Sequence, residues 1–171
     1  MRESKTGRVA EYGLLIALAM ILSYVEAQIP AFFTVPGMKL GLTNIVVLFA
    51  LYRISYKSAF FINLLRILLV AMLFGNGMSL AYSLAGGMLS TLVMMLLKRW
   101  GHFRIVTVSI AGGICHNIGQ ILVAVLLLQT TALAWYLLVL WFSGLASGLV
   151  IGLVGGELVK RLGKIPAERS M

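Results

Sequence analysis

Long apolar runs closed by basic or glycine-rich breaks set the pattern of this chain. Six runs can be read: Val9–Ala27, Met38–Tyr52, Ser58–Phe74, Leu80–Leu97, Ile105–Leu128 and Ala132–Val159. A helix needs roughly 20 residues to cross about 30 Å of hydrocarbon. Most of the runs meet or approach that length, and the second is short enough to borrow depth from the loop before it. Barrel strands would alternate polar and apolar positions over about ten residues. These runs are apolar throughout, so the pattern predicts an all-α integral membrane bundle of six transmembrane helices, with residues 1–171 as one membrane domain.

The breaks divide into two kinds. Arg53 and Lys57, Lys98 to Arg104, and Lys160, Arg161 and Lys164 are basic, while Gly75–Ser79 and Gln129–Thr131 are turns without charge. Arg2, Lys5 and Arg8 precede the first run with no A-x-A-like cleavage site after it, so that run reads as a retained first span. The longest interruption runs from Ser23 to Asn44 and carries Glu26, Gln28, Lys39 and Asn44, with Pro30 and Pro36 between them. A loop of that chemistry between two spans reads as the lip of a binding site, with residues 27–38 as its lid.

Composition agrees with the pattern. Hydrophobic residues make up 61% of the chain and charged residues 11%, with a mean hydropathy of +1.02. That leaves too little polar surface for a soluble domain. The net charge of +9 would suit nucleic acid, but the bases lie at the ends of apolar runs, where lipid headgroups attract them. With the N-terminus inside, twelve of the fourteen Lys and Arg residues fall on the cytoplasmic side, which predicts that both termini are cytoplasmic. The expected partners are therefore membrane lipid and a small-molecule ligand, not nucleic acid. The lone cysteine, Cys115, excludes an internal disulfide.

Three features could carry function. Gly144, Gly148, Gly152 and Gly156 recur every four residues in the sixth run and form one smooth helical stripe. Such a stripe permits close packing, either within the bundle or against another subunit. Gly13 and Ala17 make a weaker pair of the same kind. In the fifth run, Gly112, His116 and Gln120 share a face and Asn117 lies beside it. Buried amides and imidazoles need partners in lipid, so this cluster serves helix–helix bonding or ligand contact. Arg66 falls mid-run in the third span, three residues after Asn63, and needs either an acid such as Glu26 or an anionic ligand. The acids are Glu3, Glu11, Glu26, Glu157 and Glu168, and there is no aspartate. An Asp-rich diphosphate–magnesium site is thereby excluded. No phosphate-binding G-x-x-x-x-G-K-[ST] loop, nucleophile set or metal-ligand cluster is present, so no cofactor or metal is expected.

Ser23-Tyr-Val-Glu-Ala-Gln-Ile-Pro30, Pro36-Gly-Met-Lys-Leu-Gly-Leu-Thr-Asn-Ile45 and Cys115-His-Asn-Ile-Gly-Gln120 resemble a bacterial membrane family. It is called heptaprenyl diphosphate synthase component I, and also the Gx transporter family. The likeness covers roughly residues 9–162. The family in turn resembles the substrate-binding S components of energy-coupling factor (ECF) transporters. That resemblance implies six helices, an outward site capped by the loop between helices 1 and 2, and location in the bacterial inner membrane. It also implies a membrane coupling subunit with two ATPases, on which small residues of the first helix would pack, a role Gly13 and Ala17 could take. The synthase name implies instead an accessory beside a catalytic subunit, since prenyl-chain elongation needs Asp-rich motifs. The reading taken forward is a non-enzymatic, S-component-like binding subunit. Its candidate site is Glu26, Gln28, Lys39, Asn44, Arg66, His116, Asn117 and Gln120, and its ligand is small and anionic or amphipathic.

Overall fold

The computed structural model describes residues 5–28, 39–129 and 136–162. They form six helices and no strand: α1 (Lys5–Gln28), α2 (Asn44–Arg53), α3 (Tyr56–Leu73), α4 (Gly77–Trp100), α5 (Ile105–Leu128) and α6 (Tyr136–Arg161). The lid expected at 27–38 lies outside the described residues beyond Gln28, as do the first residues of the sixth run.

Local chemistry explains the boundaries. Ser55 caps α3 by accepting from the Ser58 N–H at 3.1 Å. Asn76 caps α4 by accepting from the Ser79 N–H at 2.8 Å. The expected turn at Gly75–Ser79 is therefore tighter than composition suggested, because Gly77 to Ser79 already belong to α4. Gly101, at φ 74°, ends α4 in the left-handed conformation that glycine adopts without strain.

Five helices are long and apolar enough to cross a membrane. Their outer faces are apolar and bare: Met72 is 83% exposed and Leu126 75%. Surface of that kind suits lipid contact rather than water.

The second run corrects the expectation of a span at 38–52. The helix in it, α2, has ten residues and is thus about 15 Å long, half of the hydrocarbon thickness. Residues 39–43 precede it in non-helical conformation, with Gly41 at φ 84°. Hydropathy had counted these residues as span, although their peptide groups bond to side chains of α1 and α5.

α5 packs between α4 and α6, α3 packs between α1 and α4, and α2 touches all five other helices. Val46, Val47, Leu48, Ala50 and Leu51 of α2 are buried in the main core with Leu15, Ala19, Ala59, Ile62, Met94, Val108 and Ile151. α2 is thus a short plug inside the bundle. It fills one end, and the polar residues lie beyond its N-terminus.

Gly144, Gly148 and Gly152 meet the α5 backbone so closely that a Cβ at Gly148 would lie 2.7 Å from Ile110 Cα. Gly156 faces the Ile105 side chain. The stripe is bundle packing, and the alternative of docking another subunit through it is corrected by the presence of α5 on that face. Gly13 has nothing within 4 Å, and Ala17 beside it is exposed.

The basic breaks share one end of the bundle. Arg53 Nη2 donates to the Leu162 carbonyl at 3.2 Å. Lys98 Nζ donates to the Leu51 carbonyl at 2.5 Å and sits 4.9 and 4.6 Å from the ring centres of Tyr52 and Tyr56. A cation at the C-terminus of α2 also complements the helix dipole.

Candidate functional site

Where α2 stops short, α1, α3, α4 and α5 bring polar side chains to the bundle axis. Ser23, Glu26, Asn44, Asn63, Arg66, Ser90, Thr91, His116 and Gln120 are all buried. Two glycines of α4 make room. A Cβ at Gly86 would lie 2.7 Å from the His116 carbonyl oxygen and 3.3 Å from its ring, and one at Gly87 3.4 Å from Arg66 Nη2.

Arg66 is held by helix neighbours rather than by an acid. Its Nε donates to Asn63 Oδ1 at 3.0 Å, and its Nη1 donates to Ser23 Oγ at 3.1 Å. Asn63 is itself fixed, since its Nδ2 donates to the Gly87 carbonyl at 2.9 Å and to Thr91 Oγ1 at 2.8 Å. This shell orients the guanidinium and leaves Nη2 buried with no hydrogen-bond partner among the described residues.

Glu26 lies one helical turn beyond Ser23 on α1. Its Oε1 accepts from the backbone N–H of Gly41 and of Leu42, the latter at 3.2 Å. The carboxylate thus ties segment 39–43 to α1, and the other oxygen, Oε2, is buried without a partner among the described residues. Glu26 and Arg66 are not in ion-pair contact among those residues, yet the charges of both Arg66 and Lys39 act on the Glu26 carboxyl. Of the two partners weighed for Arg66, a direct pair with Glu26 is thus not formed, and each of the two charged groups is anchored on one side and unpaired on the other.

Gln120 holds the same segment from the opposite wall. Oriented to satisfy its neighbours, its amide donates to the Lys39 carbonyl at 3.1 Å and accepts from the Lys39 N–H and from His116 Nε2, both at 3.1 Å. These bonds replace the helical ones that residues 39–43 do not make. His116 also packs under Gly41, where a Cβ would lie 3.3 Å from its ring. Asn44, the first residue of α2, donates from Nδ2 to Ser90 Oγ at 3.2 Å, while its Oδ1 has no partner among the described residues.

Six of the eight expected residues therefore converge: Glu26, Lys39, Asn44, Arg66, His116 and Gln120. Asn117 and Gln28 do not. Asn117 donates to the Leu140 carbonyl of α6 at 2.6 Å, on the other side of α5. Gln28 is exposed at the end of α1. Sequence reasoning missed Ser23, Gly86, Gly87, Ser90 and Thr91 as parts of the site. A signal for the glycines existed: Gly86-Gly87 is a paired glycine deep inside an apolar run, where no turn needs it.

An all-helical bundle of lipid-facing helices around a buried, charged and partly unpaired cluster defines a multi-pass protein of the membrane type. Residues 15–158 match the family model for heptaprenyl diphosphate synthase component I, and the chain belongs to that family. No curated protein and no solved structure matches it.

Proposed function

We propose that the protein is a membrane substrate-binding subunit which takes a small anionic or amphipathic molecule into the polar cluster. It acts like the S component of an ECF importer in the bacterial inner membrane. The observation that carries this reading is Arg66 Nη2, a donor on a permanently charged group, buried and unpartnered among the described residues. A free guanidinium edge suits a carboxylate or phosphate. In this reading α2 crosses the inner half of the bilayer, the basic end is cytoplasmic, and the site opens outward. The exposed Gly13–Ala17 face of α1 receives a membrane coupling subunit that works with ATPases, and the chain itself catalyses nothing.

The second reading takes its support from the family's name and from the basic end formed by Arg53, Lys98 and Arg161. There the chain would be an accessory that seats a soluble prenyl diphosphate synthase. Affinity purification from native membranes separates the two: recovery of ATPases supports import, and recovery of a synthase alone supports the accessory role.

The site itself is tested by Arg66→Gln. Loss of a charged hydrogen bond weakens ligand binding by about 10- to 150-fold while the protein stays folded. An Arg66→Gln protein that folds and carries the same co-purifying small molecule, seen by mass spectrometry at the same occupancy, sinks the proposal.

A further inference from the structure

The unpaired atoms of the cluster are not all of one kind. Arg66 Nη2 is a donor, whereas Glu26 Oε2, Asn44 Oδ1 and, with Nε2 donating to Gln120, His116 Nδ1 are acceptors, and all four belong to buried side chains. Each buried polar atom left unmade costs about 1–3 kcal/mol, more when charged. A simple anion satisfies only the donor. It leaves the acceptors empty and sets a second negative charge beside the Glu26 carboxylate. A simple cation reverses the fault at Arg66. A molecule with an ammonium and an acid group answers the donor and the acceptors alike, and its two charges cancel as it leaves water.

From this geometry we infer that the ligand is a zwitterion, with its ammonium on Glu26 Oε2 and Asn44 Oδ1 and its acid group on Arg66 Nη2. The inference rests on the binding-subunit reading above and narrows its ligand class. Glu26 can take the ammonium without releasing segment 39–43, because Oε1 alone holds Gly41 and Leu42.

The test uses the full chain in lipid nanodiscs and thermal stabilisation as the readout. The probes are the twenty L-α-amino acids, the same molecules lacking the α-amino group, phosphoethanolamine, and inorganic phosphate. Stabilisation by an amino-bearing probe, and none by its deaminated match, is the expected result. Glu26→Gln keeps an oxygen for the Gly41 and Leu42 N–H groups but removes the charge. It should weaken the amino-bearing probe about tenfold or more, read as the shift from the variant's own ligand-free melting temperature. Stabilisation by deaminated acids or phosphate as strong as by zwitterions overturns the zwitterion assignment and leaves the anion-binding reading standing. Undiminished zwitterion binding by Glu26→Gln also overturns it. No stabilisation by any probe counts against both.

Discussion

Replacing Gly148 with alanine adds a methyl group to the tightest part of the α5–α6 interface. The new Cβ would lie 2.7 Å from Ile110 Cα and 2.8 Å from the Ser109 carbonyl oxygen. Carbon atoms prefer about 3.5–4.0 Å, so α6 must retreat by roughly 1 Å along a stripe where Gly144 and Gly152 are in similar contact. Both obstacles are backbone, which cannot rotate away. Overpacking of this sort costs about 1–3 kcal/mol. Alanine also favours a helix over glycine by about 0.8–1 kcal/mol, which offsets part of the cost. Gly13→Ala isolates that second effect, because its Cβ would meet nothing within 4 Å. The difference between the two variants, about 1–3 kcal/mol, corresponds to roughly 3–9 °C in melting temperature for a domain of this size. Gly156→Ala should fall between them, since the nearest atom is a side-chain methyl, Ile105 Cγ2, at 3.0 Å, and no backbone lies as close as at Gly148. Thermal unfolding in nanodiscs, followed by tryptophan fluorescence, reads the order. Equal melting temperatures for Gly148→Ala and Gly13→Ala would refute the packing argument.

Three further outcomes are expected. In a Cys115→Ala background, a membrane-impermeant thiol reagent applied to intact cells should label a cysteine at Met78 and not one at Lys57 or Arg99; labelling at Arg99 would refute the assigned orientation. Lys98→Met retains the apolar stem but removes the bond to the Leu51 carbonyl and the charge over two tyrosine rings, which should cost about 1–3 kcal/mol; an unchanged melting temperature would show that α2 needs no such anchor. The purified chain with magnesium, farnesyl diphosphate and isopentenyl diphosphate should give no elongated product, because no aspartate is available to hold the metal–diphosphate; turnover would reverse that reasoning.

The five long helices were legible because continuous apolar length alone decides them. α2 was not, because hydropathy cannot distinguish a residue buried in a helix from one buried in an extended segment. Met38 to Thr43 count as span, yet Gly41 turns the chain and Glu26, His116 and Gln120 lie against it. Those three are distant in sequence, so no local pattern predicts the exchange. The i, i+4 spacing of His116 and Gln120 did place both on the site face. Asn117, a third of a helical turn away, could have faced either neighbour, and only the packing of α6 decides it. Arg66 was visible as an anomaly, but its shell of Ser23, Asn63 and Thr91 consists of small polar residues common in any membrane helix.

The short α2 is gripped at both ends. At one, Asn44 is bonded to Ser90 and the preceding segment to Glu26 and Gln120. At the other, Lys98 of α4 holds the Leu51 carbonyl in the last turn. A ten-residue helix fixed in this way behaves as a stiff connecting rod of about 15 Å rather than as a flexible link. One rigid element therefore joins the polar cluster to the basic edge, where Arg53 touches the end of α6.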